Sequence, residues 1–368
     1  MKKFLAAVFC LGGALLFAQQ TQTETTEATV QSILDKLLRD DKMLNIRLDT
    51  RIDYQNTFGD KNVDEYSAFR GQTVKLWFVG EIAPGVRYRV RQRLNKPQNA
   101  LARDNYSTAT DQAFVELDAG KSWTFRLGKQ SVQFGTFEYD YNPADIYLPT
   151  LCFDDLDAYK TGVNIAYKTG KQVLNLQVIN SDAPQFASDK YKNKAIAGLF
   201  LWEGSLFNGG FNTRWGYGAF QHSGSRYYSW ITLGNQININ KFTTELDWYY
   251  GDRTMDYGST VGIDDLGAKY TRDHSIAVNL KYDLGKVKPS IKGVWNHRKD
   301  LENSGSYTNG GVQALVEYYP FSDPALKDLQ FHAAYAYNRT NFDGAYNNLD
   351  GINQNQILVG MRWMFKIK

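Results

Sequence analysis

The amino-acid sequence predicts an all-β fold, a sixteen-stranded antiparallel transmembrane β-barrel with an inward-folded third loop. Three observations lead to this prediction: short segments alternate apolar and polar side chains, the connections between them are alternately short and long, and the chain is 14% aromatic. Because side chains along a strand point alternately to opposite faces, lipid outside and water inside require polarity to switch at every residue. The connections match the short periplasmic turns and long external loops of such barrels.

Residues 1–44 precede the predicted barrel and divide into two pieces. Residues 1–18 begin Met-Lys-Lys, continue as an apolar run and end at Ala18, which predicts a cleaved secretory signal peptide and export to the bacterial outer membrane. The run is short for a membrane-spanning helix. Residues 19–44 combine a Thr/Gln/Glu stretch with apolar residues at helical spacing, so we expect a periplasmic segment that is partly helical or disordered, or an oligomer contact. Cleavage would leave Cys152 as the single cysteine and exclude an intrachain disulfide.

The barrel domain is predicted to cover residues 45–368. Its first segment places Ile46, Leu48, Thr50, Ile52 and Tyr54 on one face and Arg47, Asp49, Arg51, Asp53 and Gln55 on the other. The same alternation predicts strands near residues 45–58, 68–82, 85–94, 111–118, 122–128, 160–169, 171–180, 195–207, 211–221, 226–238, 241–250, 272–284, 286–296, 310–319, 328–339 and 355–367. A soluble sheet would bury the apolar face instead, but the even strand number and the loop alternation favour the barrel.

Turns and aromatic residues fall where a membrane barrel needs them. Tight turns contain pairs such as Pro84-Gly85 and Gly120-Lys121, which join hairpins. Trp123 and Tyr318 lie beside short turns and Trp363 lies at the end of the last strand, so we expect an aromatic belt at the periplasmic interface.

The third strand is the most polarised. Val86, Tyr88 and Val90 alternate with Arg87, Arg89, Arg91 and Arg93, which predicts a row of guanidinium groups about 7 Å apart. Four like charges need water, counter-ions or facing acids, and a wet lumen supplies them. Further basic residues with inward parity include Arg47, Arg51, Lys75, Arg126, Lys168, Arg214, Lys281, Lys288, Lys292, Arg362 and Lys366. Fewer acids share that parity, so we expect a net positive wall.

The longest connection, residues 129–159, follows the fifth strand and is expected to narrow the lumen. Its acidic residues are Glu138, Asp140, Asp145, Asp154, Asp155 and Asp157. An acidic loop folded against the arginine row would create a transverse field that filters solutes by size and charge. The loop's many aromatic residues argue against disorder, and a surface lid that stays outside the barrel is the alternative.

A run of residues at the start of this loop resembles a known family. Phe125-Arg126-Leu127-Gly128-Lys129-Gln130, Phe134-Gly135, Glu138-Tyr139 and Asn142-Pro143-Ala144-Asp145 are similar to the segment entering the third loop of phosphate-selective porin O and P proteins, particularly their Bacteroidetes-type members. The resemblance implies a sixteen-stranded porin, commonly trimeric, with an arginine ladder in its lumen. Arg87, Arg89, Arg91 and Arg93 are the residues that would form the ladder here.

Other functional classes receive less support from the sequence. A net charge of +3 without a basic run argues against nucleic acid as a partner. Four scattered histidines show no metal spacing and no nucleophile signature, so we expect no enzyme, metal or cofactor. A structural barrel in a secretion or adhesion complex and a barrel-based hydrolase stay as alternatives. The sequence favours a porin for small ions and polar solutes in outer-membrane lipid, with a mild anion preference because the loop acids oppose a strict phosphate filter.

Overall fold

The computed structural model describes residues 42–60, 63–96, 103–154, 156–256 and 268–368. Within these residues, sixteen antiparallel strands form a closed barrel in which each strand pairs with its neighbours in sequence and the last strand pairs with the first. This arrangement confirms the predicted fold class. The described residues contain no helix that is long and apolar enough to span a membrane. The predicted signal peptide and residues 19–41 lie outside the described ranges.

The strands follow the predicted order along the chain. They are β1 (Asn45–Gly59), β2 (Tyr66–Ala83), β3 (Val86–Arg93), β4 (Thr110–Ala119), β5 (Trp123–Ser131), β6 (Tyr159–Thr169), β7 (Gln172–Asn180), β8 (Ile196–Leu206), β9 (Phe211–Gln221), β10 (Tyr227–Ile239), β11 (Phe242–Asp256), β12 (Ala268–Tyr282), β13 (Val287–Asp300), β14 (Ser306–Tyr318), β15 (Leu329–Asp343) and β16 (Ile352–Lys366). Two four-residue helices, α1 (Phe137–Asp140) and α2 (Leu151–Asp154), lie in the third loop.

Several strands extend further at their external ends than the sequence predicts. The predicted loop at residues 297–309 shrinks to residues 301–305, because β13 continues to Asp300 and β14 begins at Ser306. Apolar alternation stops there since the outer face leaves the lipid, but strand pairing continues. Lateral ion pairs such as Arg272 with Asp252, at 2.7 Å, satisfy the polar side chains of these extensions.

Burial confirms the predicted assignment of side chains to the two faces of β1. Asp49 and Asp53 are fully buried on the lumenal side, whereas Ile52 on the opposite side is 45% exposed. Phe69 on neighbouring β2 is 81% exposed on the outer surface. Charged side chains inside and exposed apolar side chains outside are the reverse of a soluble core, as expected for a barrel surrounded by lipid.

We expect a cationic substitution to reveal which face of β7 meets lipid. Leu176 is 56% exposed on the outer face, while Asn175 faces the lumen and donates a 2.8 Å hydrogen bond to Glu203. Leu176→Arg should lower the free energy of unfolding by about 2–4 kcal/mol, because it places a charge in the bilayer core. Leu176→Met is the matched control, because it keeps an apolar side chain on the outer face, and it should lose less than about 1.5 kcal/mol. Denaturant unfolding in lipid vesicles measures both, and equal losses would contradict the assigned faces.

Candidate pore constriction

The third loop folds into the barrel lumen instead of covering its external mouth. Its described residues, 132–154 and 156–158, connect β5 to β6, and we call this segment the inward loop. Side chains from many strands contact it, including strands more than a hundred residues away in sequence. The loop crosses the lumen from β11 to β1 and returns along the wall, so it narrows the passage.

Two glycines in the barrel wall allow the first part of the inward loop to lie against the wall. A Cβ atom on Gly216 would lie 2.3 Å from the carbonyl oxygen of Phe134. A Cβ atom on Gly234 would lie 2.6 Å from the Cα atom of Thr136. Any side chain at these wall positions would therefore displace the loop backbone towards the centre of the lumen.

The start of α1 is held by a carboxylate on β11. Asp247 accepts hydrogen bonds from the backbone N–H groups of Phe137, at 2.9 Å, and Glu138, at 2.7 Å. Thr136 precedes them with φ 66° and ψ 160°, a conformation rare outside glycine. The Thr136 hydroxyl lies 2.7 Å from that of Tyr249, and Arg214 donates a 3.1 Å hydrogen bond to its carbonyl oxygen. These contacts hold the residue in its unfavourable conformation.

Glu138 joins the two limbs of the inward loop to the wall. Lys292 on β13 lies 2.6 Å from its carboxylate, and Tyr249 on β11 donates a 3.0 Å hydrogen bond to it. Thr150, on the returning limb, donates from both its backbone N–H and its hydroxyl, at 2.9 and 2.6 Å. The Glu138 side chain is only 4% exposed, so its charge depends on these partners. Breaking a buried pair of this kind costs about 3–5 kcal/mol.

The tip of the inward loop is held by the opposite wall. The Asn142 amide donates a 2.6 Å hydrogen bond to Asp49 on β1 and accepts a 3.0 Å hydrogen bond from Lys75 on β2. Asp145 forms a 2.6 Å ion pair with Arg362 on β16. Burial raises the pKa of Asp145, and the neighbouring Arg362 opposes that rise. The loop therefore spans the lumen between β11 and the β1–β16 seam.

A second set of contacts secures the residues after the tip. Arg51 donates a 2.8 Å hydrogen bond to the carbonyl oxygen of Ala144, and its guanidinium lies 4.1 Å from the centre of the Tyr147 ring. His332 packs edge-on against the same ring and contacts Asp53 at 2.8 Å. Tyr147 is thus enclosed between two polar groups of the wall, which fixes its orientation.

The returning limb lies beside a buried charge cluster near the external end of the barrel. Asp273 contacts Arg253 at 2.6 Å and Arg298 at 2.7 Å, and all three side chains are at most 1% exposed. Arg253 also donates a 3.5 Å hydrogen bond to the carbonyl oxygen of Leu151 in α2. Burial raises the pKa of the adjacent Cys152 thiol to about 12, so the thiol stays protonated and unreactive.

The predicted arginine row lines the wall at β3, where most of its members pair with acids of the next strand. Arg87 contacts Asp118 at 2.5 Å and Glu116 at 3.4 Å. Arg91 and Arg93 share Asp111, at 3.1 and 2.9 Å. Cross-strand neighbours on β4 therefore supply the counter-charges.

Arg89 is the exception in this row. Its guanidinium lies 5.6 and 5.8 Å from the rings of Phe114 and Trp77, and no carboxylate among the described residues pairs with it. Arg126 on β5 pairs with Glu116 at 2.7 Å, and Arg47 at the periplasmic end of β1 contacts Asn45. Arg51, also predicted to face the lumen, holds the inward loop as described above.

The loop acids find partners other than the arginine row. Glu138 and Asp145 pair with Lys292 and Arg362, Asp140 lies 3.3 Å from Arg214, and Asp157 contacts Lys160. The expected direct opposition of the row to Glu138, Asp140 and Asp145 is therefore not observed, because wall cations nearer to each acid neutralise it. Asp155 and the side chain of Asp154 lie outside what the structure describes.

Open space remains on the periplasmic side of the inward loop. The cavity has a volume of about 310 Å³ and is lined by both acidic and basic side chains. Tyr141, Lys281, Lys292, Glu317 and Arg362 are among its lining residues. Such a surface is polar and wettable, which suits passage of hydrated solutes.

Comparisons with known proteins agree with this architecture. A family model described as phosphate-selective porin O and P matches residues 44–258. Among solved structures, the chain is similar to the outer membrane channel DcaP of Acinetobacter baumannii, with a TM-score of 0.62, 11% identity, and coverage of 88% of this chain and 97% of that one. It is also similar to OmpF of Salmonella typhi in a complex with daunomycin, with a TM-score of 0.58, 13% identity, and coverage of 88% and 97%.

A third structure is the anion-selective porin from Comamonas acidovorans, with a TM-score of 0.54, 14% identity, and coverage of 88% of this chain and 99% of that one. Identities this low show a shared fold and nothing finer. None of the curated proteins compared with the chain matches it.

The contacts of Asp247 predict that Asp247→Asn loosens the inward loop. An amide offers one acceptor oxygen where the carboxylate uses two, so a charge-assisted hydrogen bond worth about 1.5–3 kcal/mol is lost. Single-channel recordings should show a higher mean conductance and more open-channel noise. Asp328→Asn, which removes an exposed acid at the periplasmic turn before β15, should change neither. Identical traces for Asp247→Asn and the unmodified protein would contradict the anchoring role.

Proposed function

The chain belongs to the phosphate-selective porin O and P family, and we propose that its lumen passes small ions and polar solutes by passive diffusion with a mild preference for anions. A closed barrel with a polar interior provides a water-filled route across the outer membrane. Inorganic phosphate is one permeant among several in this proposal. Porins are channels, so membership of this family supports neither an enzymatic role nor a purely structural role.

The proposed anion preference rests on an excess of positive over negative side chains in the lumen. On β3–β5, five arginines face three carboxylates across the lumenal surface. The arginines are Arg87, Arg89, Arg91, Arg93 and Arg126, and the acids are Asp111, Glu116 and Asp118. By contrast, Glu138, Asp140, Asp145 and Asp157 on the inward loop each contact a cation. The surplus charge along this part of the passage is therefore positive.

The preference should be mild because most of the charge is locally paired. Salt at physiological strength screens charges over about 8 Å, which further weakens the field in a hydrated passage. Arg89 is the single member of the row without a carboxylate partner among the described residues. A tight phosphate site needs several convergent donors that are free to bind, and the paired arginines do not provide them.

We also propose roles for the N-terminal residues and an oligomeric state for the barrel. Residues 1–18 direct export, residues 19–44 lie in the periplasm, and the barrel assembles as a homotrimer. The first two proposals rest on the sequence pattern, and the trimer rests on the family resemblance.

Removing the arginine row tests the proposed selectivity. A variant with Arg87, Arg89, Arg91 and Arg93 all changed to Ser should shift from mild anion preference towards cation preference, because Asp111 and Asp118 lose their counter-charges while Glu116 keeps only Arg126. The zero-current potential across a KCl gradient measures the shift. The corresponding four Arg→Lys changes keep the charge and should keep the sign of the potential. An unchanged potential in the Ser variant would place the row outside the conducting path.

Phosphate titration distinguishes a general anion pathway from a dedicated phosphate site. We expect micromolar phosphate to leave the single-channel chloride current unchanged, since the paired arginines offer no convergent site. Phosphate current should appear when phosphate salts replace chloride. Block of the chloride current by micromolar phosphate would contradict the absence of a dedicated site.

A further inference from the structure

The outer surface of β11–β13 carries an ordered patch of side chains near the external rim. Strand register places its members in three consecutive rungs, which we call the outer patch. The first rung contains Trp248, Ile276 and Trp295. Ile276 and Trp295 are 36% and 44% exposed, as expected for side chains that face lipid.

The next two rungs lie successively closer to the external end of the strands. The second contains Tyr250, His274 and His297, and the third contains Asp252, Arg272 and Lys299. The intervening residues, such as Asp273 and Arg298, are buried on the lumenal side, so the rungs face outwards. Residue chemistry thus changes from aromatic and apolar to cationic within about 14 Å along the strands.

The cationic rung is only partly neutralised. Arg272 pairs with Asp252 at 2.7 Å, and Tyr270 donates a 2.8 Å hydrogen bond to the same carboxylate. Arg226, from the loop between β9 and β10, lies 4.2 Å from the centre of the Tyr270 ring and joins the patch. Among the described residues, neither Arg226 nor the exposed Lys299 has an acidic partner at ion-pair distance.

The register makes this accumulation of positive charge unfavourable in isolation. Arg272 lies directly opposite Lys299. Like charges at facing positions of a sheet destabilise it. An anion bound between Arg272 and Lys299 would remove this repulsion.

We propose that the outer patch binds the phosphorylated headgroup of a glycolipid in the external leaflet. The tryptophans mark the boundary between acyl chains and headgroups, because Trp side chains favour that interface. Arg226, Arg272 and Lys299 lie on the external side of that boundary, where lipid phosphates are located. Basic side chains at this depth attract anionic lipid headgroups. The patch lies outside the lumen, so this site is independent of the pore's ion selectivity.

Lipid binding to the intact barrel tests the proposal. Native mass spectrometry of the detergent-solubilised protein, titrated with diphosphoryl lipid A, should show bound lipid. The double variant Arg272→Gln with Lys299→Gln should weaken binding about 30-fold, the value for two cationic contacts near a membrane surface. Lipid A stripped of its phosphates should bind the unmodified protein as weakly as the variant binds the intact lipid.

Two controls separate the patch from general surface charge and from misfolding. Lys190→Gln with Lys194→Gln removes two exposed lysines of the loop between β7 and β8 and should leave binding unchanged. Arg272→Lys with Lys299→Arg keeps both charges and should retain binding, which shows that the altered patch folds. Equal binding of phosphorylated and dephosphorylated lipid, or an equal loss in the Lys190 and Lys194 control, would overturn the proposal.

Discussion

Charges inside this barrel must either pair or stay hydrated, and the position of the inward loop depends on that constraint. Glu138 is the clearest case, since its buried carboxylate is compensated by Lys292 on β13 and by hydroxyl donors on β11 and on the loop itself. An unpaired charge at this burial would cost several kcal/mol. The ionised groups that would be unfavourable if buried without a partner therefore bind the loop to the wall.

This pairing has a consequence for conduction. The four loop acids whose side chains the structure describes contribute little net field, because each contacts a cation from the wall. The arginines of β3 are neutralised less completely, since β4 offers fewer carboxylates than β3 and β5 offer guanidinium groups. Selectivity then depends on the small difference between two nearly balanced charge sets, while the size limit depends on the loop backbone.

The sequence predicts the barrel well because strand faces obey a local rule. Polarity in a strand such as β1 reports whether each side chain meets lipid or water, so strand number and orientation follow without tertiary information. The same parity places Asp247 and Lys292 in the lumen. It does not identify Phe137 and Glu138 as their partners, since those contacts join residues 110 and 154 positions apart.

Other features lie beyond any periodic signal. Strand extensions such as Asp300 lie where lipid no longer imposes alternation, so the sequence pattern predicts strand ends that are too short. The partner of each loop acid depends on how the loop crosses the lumen. No sequence pattern indicates that Asn142 in the loop contacts Asp49 in the wall, or that Tyr249 in the wall contacts Glu138 in the loop. The sequence therefore predicts which side chains face the lumen. Which of them form ion pairs depends on the path of the folded loop.

The zero-current potential of single unmodified barrels in a KCl gradient tests the balance of lumenal charge most directly. The sign of that potential reports whether the uncompensated arginines or the loop acids dominate the passage. We predict a small potential of the sign given by anion preference, which decreases further as salt concentration rises. A large potential of the opposite sign would show that the loop acids are not neutralised by the wall and would contradict the account.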